Sequence, residues 1–128
     1  AGIYPKADAW VKDKEVSFTL PGVAQSTTVS SYSFDLVVTS NDFKADYLTF
    51  TFAKKSLSAN VSDESGTATK KAINGTTGVT NIAHGKVARN ANTTVKYNLN
   101  VYFDEKNENQ NDGKAHTAVF YVKMNWTD

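Results

Sequence analysis

His84 and His116 are the only imidazoles in the chain, and they come first because histidine is the side chain whose charge changes near neutral pH. Neither stands in an HExxH or other metal-ligand spacing. His116 falls on the inward phase of the last strand, near its exposed start, the place of a structural histidine and not of a ligand or base. No G-x-S-x-G turn presents a nucleophile, and no serine has a recognisable setting with His and Asp. Cysteine is absent, which removes thiolate metal sites, thiol nucleophiles and disulfides together. The tract from Asp104 to Lys114 (DEKNENQNDGK) concentrates the oxygen donors that calcium takes. No frame in it has Gly at position six and Glu at position twelve, so it reads as a solvated connection. No glycine-rich phosphate loop follows any strand. The expectation is a chain with no catalytic residues, no metal and no cofactor, and not an enzyme.

Two other residue types bear on binding. Aromatic rings can stack on sugars, but Trp126 and Phe120 share the core phase of one strand, which packing explains. Trp10 lies in a segment without an obvious core partner and is the one carbohydrate candidate. Asn-x-Ser/Thr sequons occur at Asn60, Asn74, Asn92 and Asn125. Three fall in or near expected turns and Asn125 on the outer phase of the last strand, so all four are expected to be accessible to a glycosylating host.

The elements that position these residues are strands. At 128 residues the chain is one domain that can bury a core unaided. It is rich in the Thr, Val, Tyr and Phe that suit a pleated surface. Thirteen acidic and fourteen basic side chains leave a formal charge of +1, too little field to attract nucleic acid. No apolar run approaches the roughly 18 residues of a membrane span, so no membrane insertion is expected. A start at Ala1-Gly2 without Met is what signal-peptide cleavage leaves, which predicts a secreted protein.

Alternation is clearest in Leu48, Phe50 and Phe52, in Val95, Tyr97, Leu99, Val101 and Phe103, and in Ala118, Phe120, Val122, Met124 and Trp126. Weaker strands are expected over 15–20, with Val16, Phe18 and Leu20 inward, and over 32–39. Short ones are expected over 57–61, 67–73 and 86–88. Pro21-Gly22, Asn74-Gly75 and Asp112-Gly113 supply turns, Asn74-Gly75 being the strongest hairpin signal. Seven or eight such strands predict an all-β, antiparallel, immunoglobulin-like sandwich. Residues 1–14 precede it as an arm, and residues 15–128 form the sandwich. The arm places Ile3, Ala7, Ala9 and Val11 on one phase; extended, its ten to twelve residues reach roughly 33–40 Å, far enough to lie along a neighbour's sheet edge.

Three segments carry a family likeness: the arm and first strand (AGIYPKADAWVKDKEVSFTL), the YLTFTF strand at Tyr47–Phe52, and the close DGKAHTAVFYVKMNWTD. In these the chain resembles the pilins of chaperone-usher fimbriae of Gram-negative bacteria, in the branches that lack the pilin disulfide. The resemblance implies an extended N-terminal donor strand and a sandwich that lacks its seventh strand. The last strand, Ala115–Trp126, would border an open groove with the first. Val16, Phe18, Leu20, Ala118, Phe120, Val122 and Met124 would line that groove, and Ile3, Ala7, Ala9 and Val11 of the next subunit would fill it. The implied partners are identical subunits in a homopolymer, a periplasmic chaperone and usher, and a host receptor; the implied role is adhesion or biofilm formation from a surface fimbrium. A second likeness runs through Ala9–Val16 (AWVKDKEV), which is similar to the early strand of camelysin-like biofilm-fibre proteins, whose archaeal relatives would use the sequons. The remaining alternative is a monomeric secreted module that binds carbohydrate or a host receptor.

Overall fold

The computed structural model describes residues 3–110 and 116–128. Eight strands make up the regular structure of these residues: β1 (Val11–Leu20), β2 (Val29–Asn41), β3 (Leu48–Leu57), β4 (Val61–Ser65), β5 (Thr67–Ala72), β6 (Gly78–Ala88), β7 (Thr93–Phe103) and β8 (Ala118–Thr127). They pair antiparallel in two four-stranded sheets, β1-β7-β3-β5 and β4-β6-β2-β8. The all-β sandwich is as expected. Its connectivity is specific: odd strands fill one sheet and even strands the other, so every connection crosses the core. An immunoglobulin constant domain differs here, since its A–B, D–E and F–G neighbours share a sheet.

The alternating strands behave as their sequences require. In β7, Val95, Tyr97, Leu99, Val101 and Phe103 are buried, with half-buried residues between them on the other face. Phe34 and Tyr32 of β2 meet them from the facing sheet, and the Phe52 and Tyr97 rings stack with centroids 4.9 Å apart. Two expectations do not hold. The segment 57–61 is not a strand: β3 ends at Leu57 and β4 starts at Val61, with the Val61 N–H donating back to the Ser58 carbonyl across the turn. β6 is eleven residues long, not the three of 86–88. Its alternation is broken by a bulge opposite Phe34 and Asp35, which buries Ile82 and Ala83 side by side.

Asn74-Gly75 makes a turn, with Gly75 at φ +84°, but not a hairpin. It joins β5 to β6 across the two sheets, and Asn41 holds it by donating from Nδ2 to the Ile73 and Gly75 carbonyls. Asp112-Gly113 and the start of the last strand at Ala115 lie outside the described residues.

One crossing is far tighter than the rest. Between β4 and β5 a single residue, Gly66, carries the chain from one sheet to the other. A Cβ there would sit 2.9 Å from the Phe52 carbonyl oxygen, so the corner requires glycine. Beneath it the Tyr97 hydroxyl donates to the Ser65 carbonyl at 2.6 Å. That uses its only proton, so in the 2.9 Å contact between the two phenols Tyr32 is the donor. Burial raises the Tyr97 pKa, reinforced by its bond with Tyr32. Tyr97→Phe leaves the Tyr32 hydroxyl and the Ser65 carbonyl unpaired and is expected to cost about 1–3 kcal/mol in urea unfolding. Adding Tyr32→Phe should recover part of that loss, because one stranded donor goes with it.

Candidate interaction seam

One side of the sandwich is closed by the Gly66 corner, which links edge strands β4 and β5. On the opposite side the edge strands are β1 and β8, and no corner joins them. Side chains alone span the gap: the Phe18 ring lies 5.8 Å from Trp126 and 5.5 Å from Tyr32. The structure brings Val16, Phe18 and Leu20 of β1 to this seam together with Ala118, Phe120 and Val122 of β8, all half-buried. Met124 shares their phase yet is 43% exposed, as an edge side chain with no strand beyond it. The same inward phase on the central strands is nearly dry, with Phe34, Phe50 and Phe52 at 1% or less. The apolar surface of the seam is therefore only part covered.

The two edges differ in protection. β1 carries Lys12, Asp13, Lys14 and Glu15, a bulge between Val11 and Lys14, and a left-handed Asp13 at φ +51°, the devices that discourage pairing. On β8 the run Ala118–Val122 has no charge, glycine or proline, and its outward residues Val119 and Tyr121 are exposed. Tyr121 continues across the outer face into Val37 and Val79, its register neighbours on β2 and β6. The β8 ladder to β2 shifts register once, where Val38 and Ser40 face Phe120 and Val119, but the edge strand itself carries no charge in this run, and an uncharged edge is a pairing template.

The N-terminal residues do not stand away from the domain. Val11–Asp13 belong to β1, and residues 3–10 continue along the same edge of β7. The Lys6 N–H donates to the Phe103 carbonyl at 3.1 Å and the Trp10 N–H to the Val101 carbonyl at 2.8 Å. Ile3 and Trp10 pack on the core, and Ala9 is buried. Ala7 and Val11 are exposed, so Ile3, Ala7, Ala9 and Val11 do not share a face. Asp8 breaks the alternation, its carboxylate accepting the Ala9 N–H at 2.9 Å. Residues 3–14 thus run on into the sandwich, β1 crossing from residue 14 to residue 15 without a break. Trp10, expected without a core partner, has one.

The remaining candidates find local partners. Asp104 accepts from Thr49 at 2.8 Å and from Lys70 at 3.0 Å, and Glu108 from Tyr47 and Lys44. The Tyr47 phenol, followed by Lys44, holds the Glu108 carboxyl below its usual range. These carboxylates are spent on neighbours, and no three metal-binding side chains cluster among the described residues. His116 Nδ1 lies 3.2 Å from Asp42, and His84 Nδ1 2.9 Å from the Ser65 hydroxyl; His116 stands just before β8, and His84 within the interior strand β6, opposite the last residue of β4. The sequons are not equally open. The Asn60 amide donates to the Ala88 and Ala91 carbonyls and to Thr93, and the Asn125 amide to Ser33 and Asp35. Asn74 and Asn92 are exposed, although Asn74 Nδ2 also bonds Asp46 at 3.2 Å.

Asp128 ties down the end of β8, a contact that residue spacing did not reveal. Its Oδ1 accepts from Ser30 at 2.7 Å, Trp126 at 3.0 Å and Arg89 at 3.1 Å. The Ser30 and Trp126 bonds, then the Arg89 charge, lower its pKa from 3.8. A lowered folded-state pKa adds stability that is present above the unfolded value and lost as pH falls through the folded one. Wild type should exceed Asp128→Asn in urea midpoint near neutral pH, and the two should converge as pH drops below 3.8.

Compared with protein-family models, curated proteins and solved structures, the chain matches none.

Proposed function

We propose that this protein is a structural subunit of an extracellular filament, joined to identical subunits by a strand that one copy lays into the β1/β8 seam of the next. The observation that carries the reading is the asymmetry of the sandwich. One side is closed by a one-residue corner at Gly66, whereas the other ends in two facing edges with Val16, Phe18, Phe120 and Val122 half-covered. A strand inserted there would satisfy the backbone of β8 and remove those side chains from water. The N-terminal residues are the donor that this reading assigns, in the manner of the fimbrial pilins the sequence resembles. Secretion, a chaperone that shields the seam before assembly, and a place at the cell surface follow from the same reading. The sandwich is then immunoglobulin-like in its layers, with its own order of connections.

The test is electron microscopy of purified chain. Wild type should form filaments, and a chain lacking residues 1–13 should not. Val122→Asp should also abolish them, because a donor strand would bury its charge at a cost of several kcal/mol, while the monomer, in which residue 122 is half-exposed, keeps its circular dichroism. Normal filaments from Val122→Asp would exclude the seam as the joint.

A further inference from the structure

If residues 3–12 serve as a donor, they cannot at the same time lie where the structure holds them. We infer that they form a releasable strap, parked on β7 of their own subunit, kept in its folded shape by a clasp of Tyr4, Lys6 and Trp10 and hinged at Asp13, so that the free subunit holds back its own donor. This rests on the filament reading for its purpose, but the strap itself is a property of the isolated chain.

The clasp is built from exposed or half-exposed groups. The Trp10 indole N–H donates to the Tyr4 carbonyl at 2.8 Å, and the two rings meet edge to face at 4.9 Å. The Lys6 ammonium lies 3.9 Å from the Trp10 ring centroid, a cation–π contact. Asp8 and Lys12 add an ion pair at 3.5 Å, of small weight because both are exposed. These contacts fold residues 4–10 on themselves and do little to fasten them to the sandwich. The fastening is the backbone bonds from Lys6 and Trp10 to β7, the ladder pair Val11–Val101, and the packing of Ile3, Ala9 and Trp10.

The hinge is where the ladder fails. From Lys14 to Leu20 every residue has a register partner on β7, whereas between Val11 and Lys14 the register shifts. Asp13 there takes φ +51°, its N–H held by the Asn100 side chain at 2.9 Å and not by a strand carbonyl. Residues 3–12 can therefore lift away at the loss of the single ladder pair Val11–Val101, leaving the continuous Lys14–Leu20 ladder in place. Segments with few buried apolar contacts and few ladder bonds open at far lower free energy than the core. In extended form ten residues span roughly 33–36 Å, whereas parked they are folded short.

Amide exchange and assembly rate test the strap separately. In wild type the Lys6 and Trp10 amides should exchange at least about 100-fold faster than those paired within Val16–Leu20. Lys6→Ala should quicken both arm amides roughly two- to five-fold without changing the β1 ladder, and should raise the rate of filament formation by a similar factor. Equal protection of arm and β1 amides would overturn the strap, whether or not filaments form. So would faster arm exchange in Lys6→Ala with no gain in assembly rate, in a chain whose filaments vanish on removing residues 1–13; that result leaves the filament reading standing. Filaments that persist after that removal would sink the N-terminal residues as donor, and the role of the strap in assembly with them.

Discussion

The fold hangs on its shortest crossing between sheets, the single residue Gly66, above the hydroxyl chain from Tyr32 through Tyr97 to Ser65. It sets the spacing of the two sheets at one point. Tyr32 belongs to one sheet and Tyr97 to the other, and Ser65 lies where the chain passes between them. Each hydroxyl proton has a fixed recipient, so the relay has one direction. Inside a low-dielectric core an unpaired member would cost more than the bond itself contributes. The aromatic rings that flank this point, Phe34, Phe52 and Tyr97, are almost fully buried.

Closing one side in a single residue decides what happens on the other. Each sheet has an outer strand at the corner, β4 or β5, and one at the far side, β1 or β8. The far strands have no chain crossing directly between them, so their contact depends on ring against ring. Phe18 and Trp126 bring them together at one end, where Asp128, Arg89 and Ser30 tie the end of β8 to its own sheet. Farther along, Phe120 and Val122 remain half-covered. The charges and bulge of β1 against the plain run Ala118–Val122 of β8 make the seam lopsided as well as open, and this sets β8 as the edge at which an added strand meets least resistance.

Much of this was legible along the chain. Period-two alternation identified β2, β3, β7 and β8, and it placed Val16, Phe18, Phe120 and Val122 on a common inward phase, where the structure brings them together. β6 was not legible, because Asn81, His84 and Gly85 interrupt its pattern and a bulge opposite Phe34 buries two consecutive residues. Asn74-Gly75 has hairpin chemistry, but turn residues report a local reversal and not which sheet the chain enters next. The hydrogen bonds that engage the half-exposed Asn60 and Asn125 amides were not legible for a related reason: sequon spacing says nothing of the carbonyls and carboxylates that fold onto an amide.

By itself the amino-acid sequence determined the all-β class, the inward phase of the strong strands and the absence of thiol chemistry. Each depends on residue type or on neighbours one or two positions away, where the pleat leaves no choice. Only the tertiary structure decided that consecutive strands alternate between sheets, that β1 and β8 face each other as edges, and that residues 3–10 lie on β7. Those outcomes turn on contacts between residues distant in the chain: Phe18 with Trp126, Lys6 with Phe103, Asn41 with Ile73. Alternation along one strand specifies a dry face but carries no record of which other strand will cover it.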